Sequence, residues 1–240
     1  MTNPAISVIV PAYNEEKHIR SCMTSLVRQK TDYTYEIILV DNNSTDRTAA
    51  IAKTFPARIV RAREQGRANA RNAGVHAAHG TILAFTEADC KVPSDWIQTI
   101  GNFFSQHLSA IGVTGGIRFA QQDKLVNRLA PVVIRIGNIL LKIFLGNMTF
   151  RGTSFAIPKT VQRNVGTFSP RAAPFDDVEF GFRAGKVGQI YFHADLTVTT
   201  DDRRIRGRTL AYVWEYVTSY TNLFLLKKPG QDSWFASIRT

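Results

Sequence analysis

The chain is poor in cysteine, with only Cys22 and Cys90 in 240 residues. They lie far apart in sequence and in no CxxC or Cys/His spacing, so neither a disulfide framework nor a zinc site is suggested, and a reducing, cytoplasmic setting is expected. Acids are also scarce. Nineteen Asp and Glu stand against 30 Lys and Arg, a formal net charge of +11. That balance calls for an anionic partner: nucleic acid, an acidic membrane or phosphorylated substrates. No nucleic acid is expected, because the basic clusters at 58–71, 124–142 and 203–208 come with no DNA- or RNA-binding motif and no interleaved aromatic stacking platforms. The first ten residues lack a basic region and an apolar segment of signal-peptide length, so no export is expected. There is no low-complexity tract, and a hydrophobic content of 44% is enough for one large α/β domain.

What the sequence does hold is an alternation. Apolar runs at 6–10, 36–40, 58–60 and 82–85 read as strands, and stretches at 18–28, 45–55 and 68–78 read as helices. The order β-α-β-α-β-α-β predicts a parallel sheet wound with helices, with ligands at the carboxyl ends of the strands. Three polar clusters fall at such ends. Pro11-Ala-Tyr-Asn-Glu-Glu16 offers the aromatic face of Tyr13 and acceptors suited to a nucleoside. Asp41-Asn-Asn-Ser-Thr-Asp46 offers in Asp41 an acid able to accept from a base N–H. Glu87 and Asp89 are two positions apart after a strand, so both point one way and can grip a hard divalent cation that carries a diphosphate. The plainer reading of each cluster is turn, cap or solvated-acid chemistry. It is preferred for Asp46, a first-turn acid suited to the helix dipole.

Taken in order, Pro11 to Glu16, Val40 to Asp46, Gly66 to Gly74 with Ala70-Arg-Asn-Ala-Gly, and Phe85-Thr-Glu-Ala-Asp89 closely resemble glycosyltransferase family 2. The resemblance runs from about residue 6 to residue 202. It implies a GT-A, Rossmann-like fold: a central, mostly parallel sheet flanked by helices. It also implies a nucleotide-diphosphate-sugar donor and transfer with inversion. Pro11, Tyr13, Glu15, Asp41 and Asn43 would line the nucleoside, and Arg67 and Arg71 would face the diphosphate or order their loop. The family's acid-any-acid motif falls on Glu87, Ala88 and Asp89, with Glu in place of the usual first Asp. Mn²⁺ or Mg²⁺ is the expected ion, since both accept carboxylate and phosphate oxygens.

The acceptor half begins near residue 111. Residues 111–119 read as one strand whose glycines let backbone approach a ligand. The segments at 151–157 and 165–168 match the family's acceptor side. In Phe175-Asp-Asp-Val-Glu-Phe-Gly-Phe-Arg183 the family's acid pair falls on Asp176 and Asp177, which gives Asp177 the role of general base. Asp176 and Glu179 are left to orient Arg183 or acceptor groups. Relatives often carry a His after the last strand, and this chain does not. Asp201 or Asp202 then substitutes as an oxygen ligand, or Arg203 and Arg204 contact phosphate. His193 comes too early and reads as structural.

Two further segments are amphipathic. In 124–146, Arg128, Arg135 and Lys142 recur along an otherwise apolar helical pattern, which suits either a membrane interface or a packed core helix. In 209–226, aromatics surround the single charge Glu215, which favours an interface or a packed helix over a span. The expected layout is a catalytic domain over 1–204, split into a donor half (1–110) and an acceptor half (111–204) with a helical insertion at 124–146, followed by a helical tail over 205–240. The expected enzyme works in glycan biosynthesis, peripheral on the cytoplasmic membrane face, with a saccharide or lipid-linked acceptor. The other reading is a catalytically inactive nucleotide-sugar or membrane-binding module on the same fold.

Overall fold

The computed structural model describes residues 3–120 and 148–203, so the segments at 124–146 and 205–240, with Arg204, lie outside the described residues. The predicted alternation is present: β1 (Ile6–Ala12), α1 (Ile19–Val27), β2 (Tyr35–Asp41), α2 (Thr48–Ala52), β3 (Arg58–Arg61), α3 (Arg67–Ala77) and β4 (Ile82–Thr86). These strands pair in parallel in the order β3-β2-β1-β4. Parallel strands covered by helices on both faces are apolar on both faces. Val8, Val10, Ile37 and Leu39 accordingly pack with Ile19, Met23 and Leu26 of α1. Ile9, Ile38, Val40 and Phe85 turn the other way, to Ala68, Ala70 and Val75 of α3.

The two flanks of β1 differ at its carboxyl end. Pairing with β2 continues to Ala12 opposite Asp41, whereas pairing with β4 stops at Ile9 opposite Phe85. Pro11 lies beyond that last pair, where its missing N–H costs no ladder bond. The strands part here, at the point where the sheet order reverses, and such switch points are where open α/β sheets hold ligands.

The rest of the described chain runs β5 (Cys90–Lys91), α4 (Trp96–Gln106), β6 (Gly112–Thr114), β7 (Ile117–Phe119), β8 (Ser154–Pro158), α5 (Lys159–Val165), α6 (Asp176–Gly185), β9 (Ile190–Phe192) and β10 (Val198–Thr200). The large sheet has the order β3-β2-β1-β4-β8-β6-β9, with β8 antiparallel to both neighbours, and β5-β10-β7 form a small second sheet. Residues 111–119 therefore do not make one strand. The stretch breaks at Gly115-Gly116 and serves two sheets. The reason is an approach to the chain itself: a Cβ at Gly115 would strike the Leu196 carbonyl, and one at Gly116 would lie 2.6 Å from Thr197 Oγ1. Among the described residues, no helix is long and apolar enough to cross a membrane.

Candidate active site

The first two rim loops are laced together. Asn14 and Asn43 both adopt left-handed backbone, with φ of 52° and 65°, a conformation Asn tolerates better than most residues. Asn14 Oδ1 accepts from the Thr45 amide at 2.9 Å, and the Asn14 amide donates to Ser44 Oγ at 3.1 Å. Asp41, largely buried, accepts from the Ser44 amide through Oδ1 at 3.2 Å. Pro11 is buried, while Tyr13 and Asn43 are half-buried at the same rim. Asp46 lies ahead of α2 rather than in its first turn, and it serves the turn: its carboxylate accepts from the Thr48 amide at 2.9 Å and the Glu16 amide at 3.0 Å, and Thr48 donates its hydroxyl as well. These bonds hold its pKa below the ordinary range against the opposing effect of burial.

Glu87 and Asp89 follow β4 around the buried Ala88, and with Cys90 they bring one ligand atom each within 4.8 Å of one another. Two carboxylates and a thiol form a donor set in which the hard oxygens suit Mn²⁺ or Mg²⁺. Burial pushes the Cys90 thiol well up, reinforced by Asp89 and Glu87, so it stays protonated. Its S–H lies 3.6 Å from Asp89 Oδ1.

Each acid is met by arginine. Glu87 Oε1 sits 3.4 Å from Arg67 Nη1 and 3.5 Å from Arg71 Nη2. Arg71, whose side chain is 1% exposed, donates through Nη1 to Asp176 Oδ2, itself in a side chain 1% exposed. Burial opposes the Arg71 charge, but Asp176, Asp177 and Glu87 outweigh it and raise the pKa. Arg67 donates to the Pro174 carbonyl at 2.6 Å and reaches Asp176 Oδ1 at 3.8 Å. Arg67 and Arg71 therefore tie α3 to the amino end of α6. The adjacent Asn72 extends that tie, exchanging two hydrogen bonds of 2.9 Å with the backbone of Phe168.

Asp177 stands at the start of α6, and its Oδ2 accepts the Gly152 amide. Burial pushes its carboxyl above the ordinary range. Arg71 pulls the other way, and Asp176 adds to the rise. Gly152 has no room for a side chain: a Cβ there would meet Arg71 Nη2 and lie 3.1 Å from both Asp177 Oδ2 and Glu87 Oε1. The acid after β4 and the acid of α6 thus flank one bare Cα. Glu179 is spent on Arg183, through bonds of 2.6 and 2.9 Å, and Arg183 in turn donates to the carbonyls of Val165 and Thr167.

Asp89 is met from the other end of the chain. Arg203 Nη2 lies 3.2 Å from Asp89 Oδ2 and donates to Glu15 Oε1. Its Nη1 lies 2.7 Å from His18 Nδ1, which is also 3.1 Å from Glu15 Oε2. Arginine only donates, so Nδ1 either accepts from Arg203 or donates to Glu15. Asp201 closes the group, accepting the Arg203 amide at 2.9 Å and lying 3.6 Å from His18 Nε2. Asp202 is buried beside it. His193 is elsewhere, with its ring edge on Phe103.

Sequence reasoning assigned no role to Gly152, His18 or Cys90. His18 left one signal, its place three residues after Glu15 at the start of α1. Gly152 left only its glycine.

The model for the family described as "Glycosyl transferase family 2" matches residues 7–176. Glycosyltransferase AglE of Haloferax volcanii is 36% identical over 104 residues, 40% of this chain and 34% of that protein. Uncharacterized glycosyltransferase EpsJ of Bacillus subtilis is 41% identical over 144 residues, 58% of this chain and 41% of its own length. The match thus spans roughly a third to two fifths of these relatives. Among solved structures, Staphylococcus aureus TarS 1-349 in complex with UDP-GlcNAc superposes with a TM-score of 0.62 at 18% identity, covering 82% of this chain and 58% of that one. The mannosyltransferase PcManGT of Pyrobaculum calidifontis in complex with GDP-Man and Mn²⁺ gives 0.65 at 21% identity, covering 83% and 57%. At those identities the likeness is one of fold, and it is the GT-A fold. With the family model matching most of its length, the chain belongs to glycosyltransferase family 2.

Proposed function

We propose that the protein transfers a sugar, with inversion, from a nucleotide-diphosphate sugar to an acceptor hydroxyl or lipid phosphate. The observation that carries this reading is the convergence of Glu87 and Asp177 on Gly152, with Asp89 two residues further along the same rim. The neighbours bound to UDP-GlcNAc and to GDP-Man with Mn²⁺ support the donor class and the ion. Pro11, Tyr13, Glu15, Asp41 and Asn43 line the nucleoside, and Arg67 assists at the diphosphate. Arg71 is too deeply buried for that and holds Asp176 and Glu87 in place. Glu87 and Asp89 would hold Mn²⁺ or Mg²⁺, and the ion would supply positive charge beside the diphosphate.

An acceptor hydroxyl is a poor nucleophile, so Asp177 takes its proton as the hydroxyl attacks the anomeric carbon. The Gly152 amide fixes one carboxylate oxygen, leaving the other for the acceptor. Asp201, Asp202 and Arg203 complete the site on the side of Asp89. The catalytic domain is assigned to 1–204, and the basic, amphipathic stretches at 124–146 and 205–240 suit an anionic cytoplasmic membrane face and a lipid-linked acceptor.

A screen of UDP-, GDP- and dTDP-sugars with Mn²⁺, run beside Asp177→Asn, tests the reading. Donor binding should require the metal and survive the substitution, while turnover falls by about 10²–10⁴-fold. Unchanged turnover in Asp177→Asn would remove it as the base.

A further inference from the structure

Resting on that reading of the site, we propose that Arg203 occupies the electrostatic place of the divalent cation, so that cation and nucleotide diphosphate enter together, the diphosphate drawing Arg203 off Asp89. Glu15 and Asp89 have side chains only 4% and 5% exposed, and Arg203 Nη2 touches both. Buried carboxylates require a compensating charge, and here the guanidinium supplies it. A cation arriving alone at Asp89 meets a positive charge already in contact with its ligand.

Glu87 is also compensated, by Arg67 and by an Arg71 that has nowhere to go. Arg71 is 1% exposed and bonded to an equally buried Asp176, whereas the Arg203 side chain is 24% exposed. The Arg203 backbone is tied to Asp201, so only its side chain has to move. A diphosphate gives it a destination, because the planar guanidinium fork matches phosphate oxygens in charge and shape. Arg203 then passes from a competitor of the cation to a holder of the leaving group. The two ligands must favour each other's binding by the same factor.

Mn²⁺ binding to the full chain, followed by the EPR signal of the free ion, tests this without reference to turnover. Without nucleotide, Arg203→Gln should bind Mn²⁺ about tenfold more tightly than the wild type, within the usual range of coupling between sites. UDP or GDP should tighten Mn²⁺ binding strongly in the wild type and less in the variant. Arg203→Lys keeps the charge but lacks the second nitrogen that meets His18 and the planar fork that suits a diphosphate, so it should fall between; it also serves if circular dichroism shows Arg203→Gln to be unfolded. Structural damage would weaken binding, opposite to the predicted sign. If the wild type binds Mn²⁺ with nucleotide but no folded variant gains affinity without it, the exchange is wrong and the site reading stands. If no form binds Mn²⁺ or nucleotide, both fall.

Discussion

The two acids after β4 are held in opposite ways. Glu87 belongs to a network anchored on the sealed Arg71–Asp176 pair and completed by Arg67, which joins α3 to α6. Asp89 belongs to a wetter one with Arg203, Glu15, His18 and Asp201, which joins the first rim loop to the end of the described chain. The chemistry is the same, carboxylate against guanidinium, and burial decides what it does. A sealed pair fixes geometry, since losing one partner strands a charge in low dielectric. A half-open pair can trade partners when the ligand brings its own charge to the carboxylates left behind.

That contrast is vulnerable to measurement. Arg71→Met should cost about 3–5 kcal/mol of stability in urea unfolding, the range for stranding a buried partner, while Arg203→Gln should cost less, because solvent reaches the 24% exposed Arg203 side chain and the glutamine amide still donates a hydrogen bond toward Glu15 or Asp89. Equal losses would mean that the networks do not differ in kind. Gly152→Ala places a methyl against Arg71, Asp177 and Glu87. It should lose about 1–3 kcal/mol, the range for overpacking, with a larger proportional loss of kcat than of donor affinity. Intact kcat would show that the Gly152 amide is not what aims Asp177.

The third measurement is pH. Asp177 is raised above the ordinary carboxylate range by burial, and the ionised form is the one that accepts a proton. The acid limb of kcat should therefore lie above the ordinary value of about 4. Stability runs the other way: the folded state favours protonated Asp177, so that contribution is present below the ordinary value and is lost as pH rises through the raised one. A kcat profile flat down to the ordinary range would take Asp177 out of the role.

The donor half was legible because its information is local. Apolar runs such as 6–10 and 36–40 have one solution when helices cover both sheet faces, and β1 and β2 lie where those runs predict. The acids at strand ends follow from the same order. The role proposed for Asp177 comes only from a family pattern, since a first-turn acid looks the same with or without a function. The break at Gly115-Gly116 was not legible, because its cause is the carbonyl of Leu196, which no window around residue 115 contains. Nor was the place of Arg203, since its partners Glu15 and Asp89 come from opposite ends of the donor half and meet it through tertiary structure.

The reversed strand β8 carries a consequence for how such a site diversifies. Ser154 pairs with Thr86, so the residues that precede β8, rather than those that follow it, stand beside the end of β4. Residues 148–153 therefore reach the candidate site from the start of a strand, while Glu87 and Asp89 reach it from the end of one. A change on the approach to β8 meets Glu87 and Asp177 at Gly152 without acting through the pairing of β1 with β2 or β4.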